Sequence, residues 1–172
     1  PHNLAPTSST TVALTMGDAL AVCLLKLRGF SATDFANYHP GGSLGKKMYM
    51  RVHDLSSKND APAVDINESI TNVIIEISSK RLGTTAVIDD GKMIGVITDG
   101  DLRRMIENHD DYKHLTAKDI MTKEPLSIEK DSLIVNALSL MRENNITQLP
   151  VMDGDNYSGV IHLHDILKEG IF

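Results

Sequence analysis

From about Val52 onward the chain is written twice without a gap, and no other feature constrains its fold as much. Key positions are matched in kind 64 residues on: Val64 by Ile128, Ile70 by Ile134, Val73 by Ala137, Ile74 by Leu138, Ile77 by Met141, Val87 by Val151, Asp89 by Asp153, Gly95 by Gly159 and Asp101 by Asp165. In each copy the set Ile70, Val73, Ile74 and Ile77, or its counterpart, keeps the i, i+3, i+4, i+7 spacing of one helix face. Two strand-forming runs follow, TTAVID and KMIGVIT joined at Asp90 and Gly91, then TQLPVMD and YSGVIH joined by GDN. Asp-Gly between apolar runs signals a tight hairpin, because the turn needs positive φ. A short helix beginning near Asp101 or Asp165 closes each copy. Strand, helix, strand, strand, helix is too small to stand alone, so the copies are expected to pack together across their sheets in a mixed α+β/α/β fold.

The residues ahead of the repeat differ in kind. APTSSTT reads as a polar loop in which Thr7, Ser8, Ser9 and Thr10 cap the helix that follows, and Met16 to Leu27 reads as that helix, ended by Gly29. The helix is apolar on most sides, which predicts burial against partners that few elements here supply. Together with a start at Pro1, this suggests a piece of a longer protein. Cys23, the single cysteine, is expected as a buried thiol in a reducing compartment. The run ALAVCLLKL is shorter than the ~20 residues of a membrane span, and no cleavable signal precedes it, so a cytoplasmic protein is expected. YHPGGSLGKK, Tyr38 to Lys47, marks an irregular loop and a boundary. The expected divisions are 1–47, 48–112 and 113–172. A formal net charge of −6 argues against broad binding to nucleic acid or to an anionic membrane, so any anionic ligand must be gripped locally.

Such a grip is offered by GVITDGDLRR, Gly95 to Arg104. Thr98 ends a strand and can donate to a phosphate, while Asp101 at a helix start can only accept, as from ribose hydroxyls. Arg103 and Arg104 could hold an anion bidentately, each charge-assisted bond contributing ~1.5–3 kcal/mol. A micromolar ligand needs about 8 kcal/mol, so several groups must converge. The plainer alternative is that Asp101 caps its helix and the arginines are solvated. In the second copy His162 replaces the threonine, His164 follows and Asp165 keeps the carboxylate. On a strand both imidazoles would share a face, suggesting an anion grip or a metal pair. No further local ligand completes a metal set, so no metal and no cofactor is assigned. With Leu167 and Lys168 opposite the two arginines, a bound ligand is expected to place its anionic end nearer the first copy. Gln148 and Thr147 could read a base edge or simply be a polar strand end. His53, His109 and His114 look like surface residues.

GVITDGD and GVIHLHD, closing the last strands of a duplicated unit, resemble a tandem pair of CBS (cystathionine beta-synthase) domains, over roughly Met48 to Phe172. The leading segment, with PTSSTT, MGDALAV and HPGGSLGKK, resembles the end of a sugar isomerase (SIS) domain. In combination with TDGDLRR and HLHDIL, the arrangement is similar to the C-terminal part of the D-arabinose 5-phosphate isomerase family. That resemblance implies a cytosolic aldose-ketose isomerase acting on sugar phosphates, interconverting D-ribulose 5-phosphate and D-arabinose 5-phosphate for synthesis of the lipopolysaccharide sugar Kdo. It also implies an active-site histidine at His39, completed by residues outside this chain, so the fragment alone is expected to be inactive. The CBS pair would be its regulatory module, with a nucleotide or nucleotide sugar as effector, either CMP-Kdo or an adenine nucleotide. The alternative is a purely structural module that holds a homo-oligomer, dimer or tetramer, together without a ligand.

Overall fold

The computed structural model of the chain describes residues 5–39, 41–109 and 111–172, in two compact units, one ending at Gly45 and one running Lys46–Phe172. The first contains α1 (Ser8–Leu27) and α2 (Ala32–Tyr38), and α3 (Ser43–Tyr49) spans the division. SLGKK is therefore helical rather than part of an irregular loop, and its glycine, Gly45, is buried in α3.

Helix α1 starts eight residues earlier than its apolar pattern, because the hydroxyl run turns out to be helical. Thr7 is the N-cap but makes no side-chain cap bond. Instead Thr10 and Thr11 donate their hydroxyls to the Thr7 carbonyl at 2.9 and 3.0 Å, and Thr15 donates to that of Thr11 at 2.9 Å. Bonding back to the preceding turn replaces the expected capping. At 20 residues the helix is long and apolar enough to cross a membrane by length and composition, which the shorter apolar run did not suggest. None of its residues is buried, and Cys23 is exposed rather than packed in a core. Gly29 ends the helix as expected, at φ 61°.

The second unit opens with α4 (His53–Ser56) and continues through β1 (Ala63–Asp65), α5 (Ile70–Lys80), β2 (Thr84–Asp89), β3 (Lys92–Thr98) and α6 (Asp99–Asn108). The duplicate follows as α7 (Ala117–Ile120), β4 (Thr122–Lys123), β5 (Ile128–Glu129), α8 (Ile134–Glu143), β6 (Gln148–Asp153), β7 (Asn156–His162) and α9 (Leu163–Lys168). One sheet has the order β1-β2-β3-β4 and the other β5-β6-β7. In each, the first pair is parallel and the next antiparallel, and the bulge after Val87 recurs after Val151. Asp90 and Gly91 sit at φ 46° and 78°, the conformation the predicted tight turn demands.

The copies exchange their leading helices. Val52 and Leu55, ahead of the first copy's β1, are buried with Ile134, Leu138, Met141 and Ile161 of the second. Ala117, ahead of the second copy's β5, is buried with Val73, Ile77, Val87 and Ile97 of the first. The backbone repeats the exchange: Ala117 N–H donates to the Glu68 carbonyl at 2.9 Å and His53 N–H to that of Lys130 at 3.0 Å. Each core is closed by its neighbour's entry segment, and the start of β2 and the end of β3, paired at Thr84 and Thr98, lie side by side toward the second copy.

Candidate functional site

Between the copies lies a cleft of about 370 Å³. The first copy lines it with Thr84, Val96 and Thr98 from its strands and with Asp101 and Arg104 of α6. The segment 122–126 contributes Thr122, Glu124, Pro125 and Leu126, and the second copy adds Ile146, Gln148 and Pro150.

Thr98 and Asp101 form a capping box. The Asp101 amide donates to Thr98 Oγ1 at 3.3 Å, and Asp101 Oδ2 accepts from the Thr98 amide at 2.8 Å and from its hydroxyl at 2.7 Å. The other oxygen, Oδ1, accepts from Arg104 Nη2 and from the Thr122 hydroxyl at 3.3 Å. Asp101 is only 6% exposed. Burial pushes its pKa up, but the Thr98 hydroxyl and amide, the Arg104 hydrogen bond and the Arg104 charge together hold the carboxyl below its ordinary value. The side chain that the repeat singles out thus serves the helix start first, the plainer of the two readings of its residue type.

The two arginines separate. Arg104, three residues beyond Asp101 and so on the same face, reaches back over Gly100, where an added Cβ would lie 3.4 Å from Nη1. Arg103 is exposed, and its side chain is not part of the cleft wall.

In the second copy His162 ends β7 and His164 lies in α9, so they do not share a strand face. They meet instead through the helix start: His162 Nδ1 accepts from the His164 amide at 3.0 Å, and the rings stack with centroids 5.0 Å apart. That acceptor role needs an unprotonated Nδ1. Burial lowers the His162 pKa, the nearby His164 and Lys168 charges lower it further, and Asp165 only partly opposes them. Asp165 accepts from Asn59 Nδ2 at 2.8 Å and lines a separate pocket of about 260 Å³ with Lys58, Lys168 and Glu169. The two repeat carboxylates therefore do not share one cleft. Among the described residues, no group of three or more His, Cys, Asp or Glu is placed to hold a metal ion.

His39 follows α2, its ring 4.6 Å from that of Phe35, and lines a third pocket of about 560 Å³ with Gly41, Gly42 and Ser43. Pro40 of the HPGG motif lies outside the described residues. Sequence patterning passed over Thr84, Val96, Ile146 and Pro150, which read only as strand or core positions, and Thr122, Glu124, Pro125 and Leu126, which lie in the irregular stretch ahead of β5 where the two copies share little pattern.

A paired β-α-β-β-α unit with exchanged entry helices and an intervening cleft defines a class of tandem-repeat fold, and the chain belongs to the CBS domain family, whose model matches residues 52–108 and 117–171. Its relatives are more particular. It is 47% identical to arabinose 5-phosphate isomerase KdsD of Escherichia coli K12 over 99% of this chain and 53% of that protein. It is 44% identical to the Francisella tularensis enzyme of the same name over 98% and 52%. The chain spans about half the length of these relatives. Among solved structures, a CBS-domain signal-transduction protein from Burkholderia ambifaria matches with a TM-score of 0.61 and 26% identity, over 67% of this chain and 85% of that one. The CBS protein PAE2072 from Pyrobaculum aerophilum, complexed with AMP, has the same fold, with a TM-score of 0.61 and 19% identity over 68% and 90%.

Proposed function

We propose that the CBS pair is the ligand-sensing regulatory module of an arabinose 5-phosphate isomerase. The cleft beside Arg104 would receive a nucleotide or nucleotide sugar, CMP-Kdo first among them as the activated end product of the sugar's pathway. The observation that carries this reading is a walled inter-copy cleft in which a guanidinium is presented beside hydroxyl, amide and apolar groups. Thr98 and Asp101 then act by fixing α6 and Arg104, and Asp165, His162 and His164 by building the equivalent end of the second copy. Arg103 contributes long-range charge. The similarity over nearly the whole chain to isomerases supports the assignment of residues 1–47 to the end of a SIS domain, with 48–112 and 113–172 as the two CBS copies. His39 would work on the sugar phosphate only alongside residues supplied from elsewhere in the enzyme. On this reading the enzyme is a cytoplasmic homo-oligomer, a dimer or tetramer.

Calorimetric titration with CMP-Kdo, CMP, AMP and ATP tests the reading. Heat with a saturating isotherm from at least one is expected, and none at millimolar concentration overturns it. One observation favours the structural alternative: both Asp101 oxygens are already satisfied within the protein. Under that alternative Asp101→Ala changes stability and no ligand binds.

A further inference from the structure

Of the polar side chains around the cleft, most are already engaged. Thr98 and Thr122 donate to Asp101, and Thr84 donates to the Ile97 carbonyl at 3.2 Å. Glu124 and Gln148 differ: neither side chain has a hydrogen-bond partner among the described residues, and both line the cleft. Neither arrangement is what the repeat alone would give. Glu124 holds φ 47° immediately before Pro125, although a non-glycine residue rarely takes positive φ and a following proline disfavours helical dihedrals. Its counterpart Asp60 is not in that region.

Gln148 is the counterpart of Thr84, which is only 2% exposed. Its carboxamide lies against Gly83, where an added Cβ would come within 2.8 Å of Nε2. The position equivalent to Gly83 is Thr147. The first copy thus has a glycine where the second copy brings a long amide across, while the two equivalent positions, Thr147 and Thr84, are both threonine.

We propose that Glu124 and Gln148 are the specificity-determining residues of the cleft, Glu124 accepting from sugar hydroxyls and Gln148 pairing with the donor-acceptor edge of a base. This rests on the nucleotide reading given above. A carboxylate accepts only, which suits hydroxyls and repels phosphate, leaving the anion to Arg104. A carboxamide offers one donor and one acceptor side by side, which match the amino and ring-nitrogen edge of cytosine or adenine. Val96, Ile146 and Pro150 supply apolar surface for the ring faces.

The test is titration of the chain and its Gln148→Leu, Glu124→Gln and Glu124→Gly variants with CMP, AMP and ribose 5-phosphate. Thermal unfolding verifies that each variant is folded, and glycine at 124 removes the carboxylate while suiting the positive φ. In the unsubstituted chain CMP or AMP should bind more tightly than ribose 5-phosphate. Gln148→Leu should shrink that preference about tenfold, and both Glu124 variants should weaken all three ligands about fivefold. Unchanged preference and affinity in folded variants overturn the inference alone. No binding of any probe by the unsubstituted chain overturns it together with the nucleotide reading.

Discussion

The Val52 amide donates to the Ser132 carbonyl at 2.9 Å, joining the entry segment of the first copy to the second. With Val52 and Leu55 inside the second copy's core, damage there should be felt across the sequence. Leu55→Ala is expected to cost about 2–5 kcal/mol, as large-to-small changes at buried positions do. A chain beginning at Asp60 should lose the tertiary structure of the second copy, though the whole of that copy's own sequence is retained. Urea denaturation of the first and amide exchange of the second check this; protection of β6 and β7 in the shortened chain would refute it.

A repeat unit, its helix face and its hairpins are local patterns of period, and they are legible because each copy confirms the other: Ile70, Val73 and Ile77 are buried, as are Ile134, Ala137, Leu138 and Met141. The exchange is illegible for the same reason. Repeats with the same apolar pattern offer alike surfaces, so Leu55 could close either core by pattern alone, and only three-dimensional closure decides. At the site, patterning finds Thr98, Asp101 and Arg104 but cannot tell that Arg103 lies off the cleft or that Glu124 lies on it. The hydroxyl run before α1 reads as loop because its residues have middling helix propensity and favour caps, yet the structure turns them into the first helical turns.

Arginine position gives a binding prediction. Only Arg104 lines the cleft, so Arg104→Ala should weaken an anionic nucleotide by at least about tenfold, the range of a charge-assisted bond, while Arg103→Ala should change affinity less than twofold at moderate salt. Calorimetry with CMP or AMP compares them, and equal losses would contradict the placement of Arg104.

Two glycines at equivalent places in β3 and β7 should fail for different reasons. A Cβ at Gly95 would lie 2.8 Å from the Thr122 carbonyl and 2.9 Å from Met121 Sδ, so Gly95→Ala should push β4 off β3 and carry Thr122 away from Asp101. At Gly159 the nearest atom is Ala61 Cβ at 3.8 Å, and the obstacle is φ 145°. Both should cost ~1–3 kcal/mol, but only Gly95→Ala should also impair ligand binding. Denaturation paired with titration separates the two.

His162 makes stability depend on pH near neutrality. Its pKa is depressed in the folded protein, mainly by burial, so the unfolded chain binds the proton more readily. The stabilisation is therefore complete above the unfolded histidine value of about 6.5 and is lost as pH falls through the lower folded value. Protonation also removes the Nδ1 acceptor that caps α9. His162→Asn keeps a short capping acceptor without the titration, so it should flatten the stability profile in the window just below pH 6.5 and leave stability at pH 8 within about 1 kcal/mol. Asp101 also has a depressed pKa, so its contribution persists through this window and declines only in more acid solution. Urea unfolding across pH 4 to 8 measures both, and an unchanged slope below pH 6.5 in His162→Asn would show that another group is responsible.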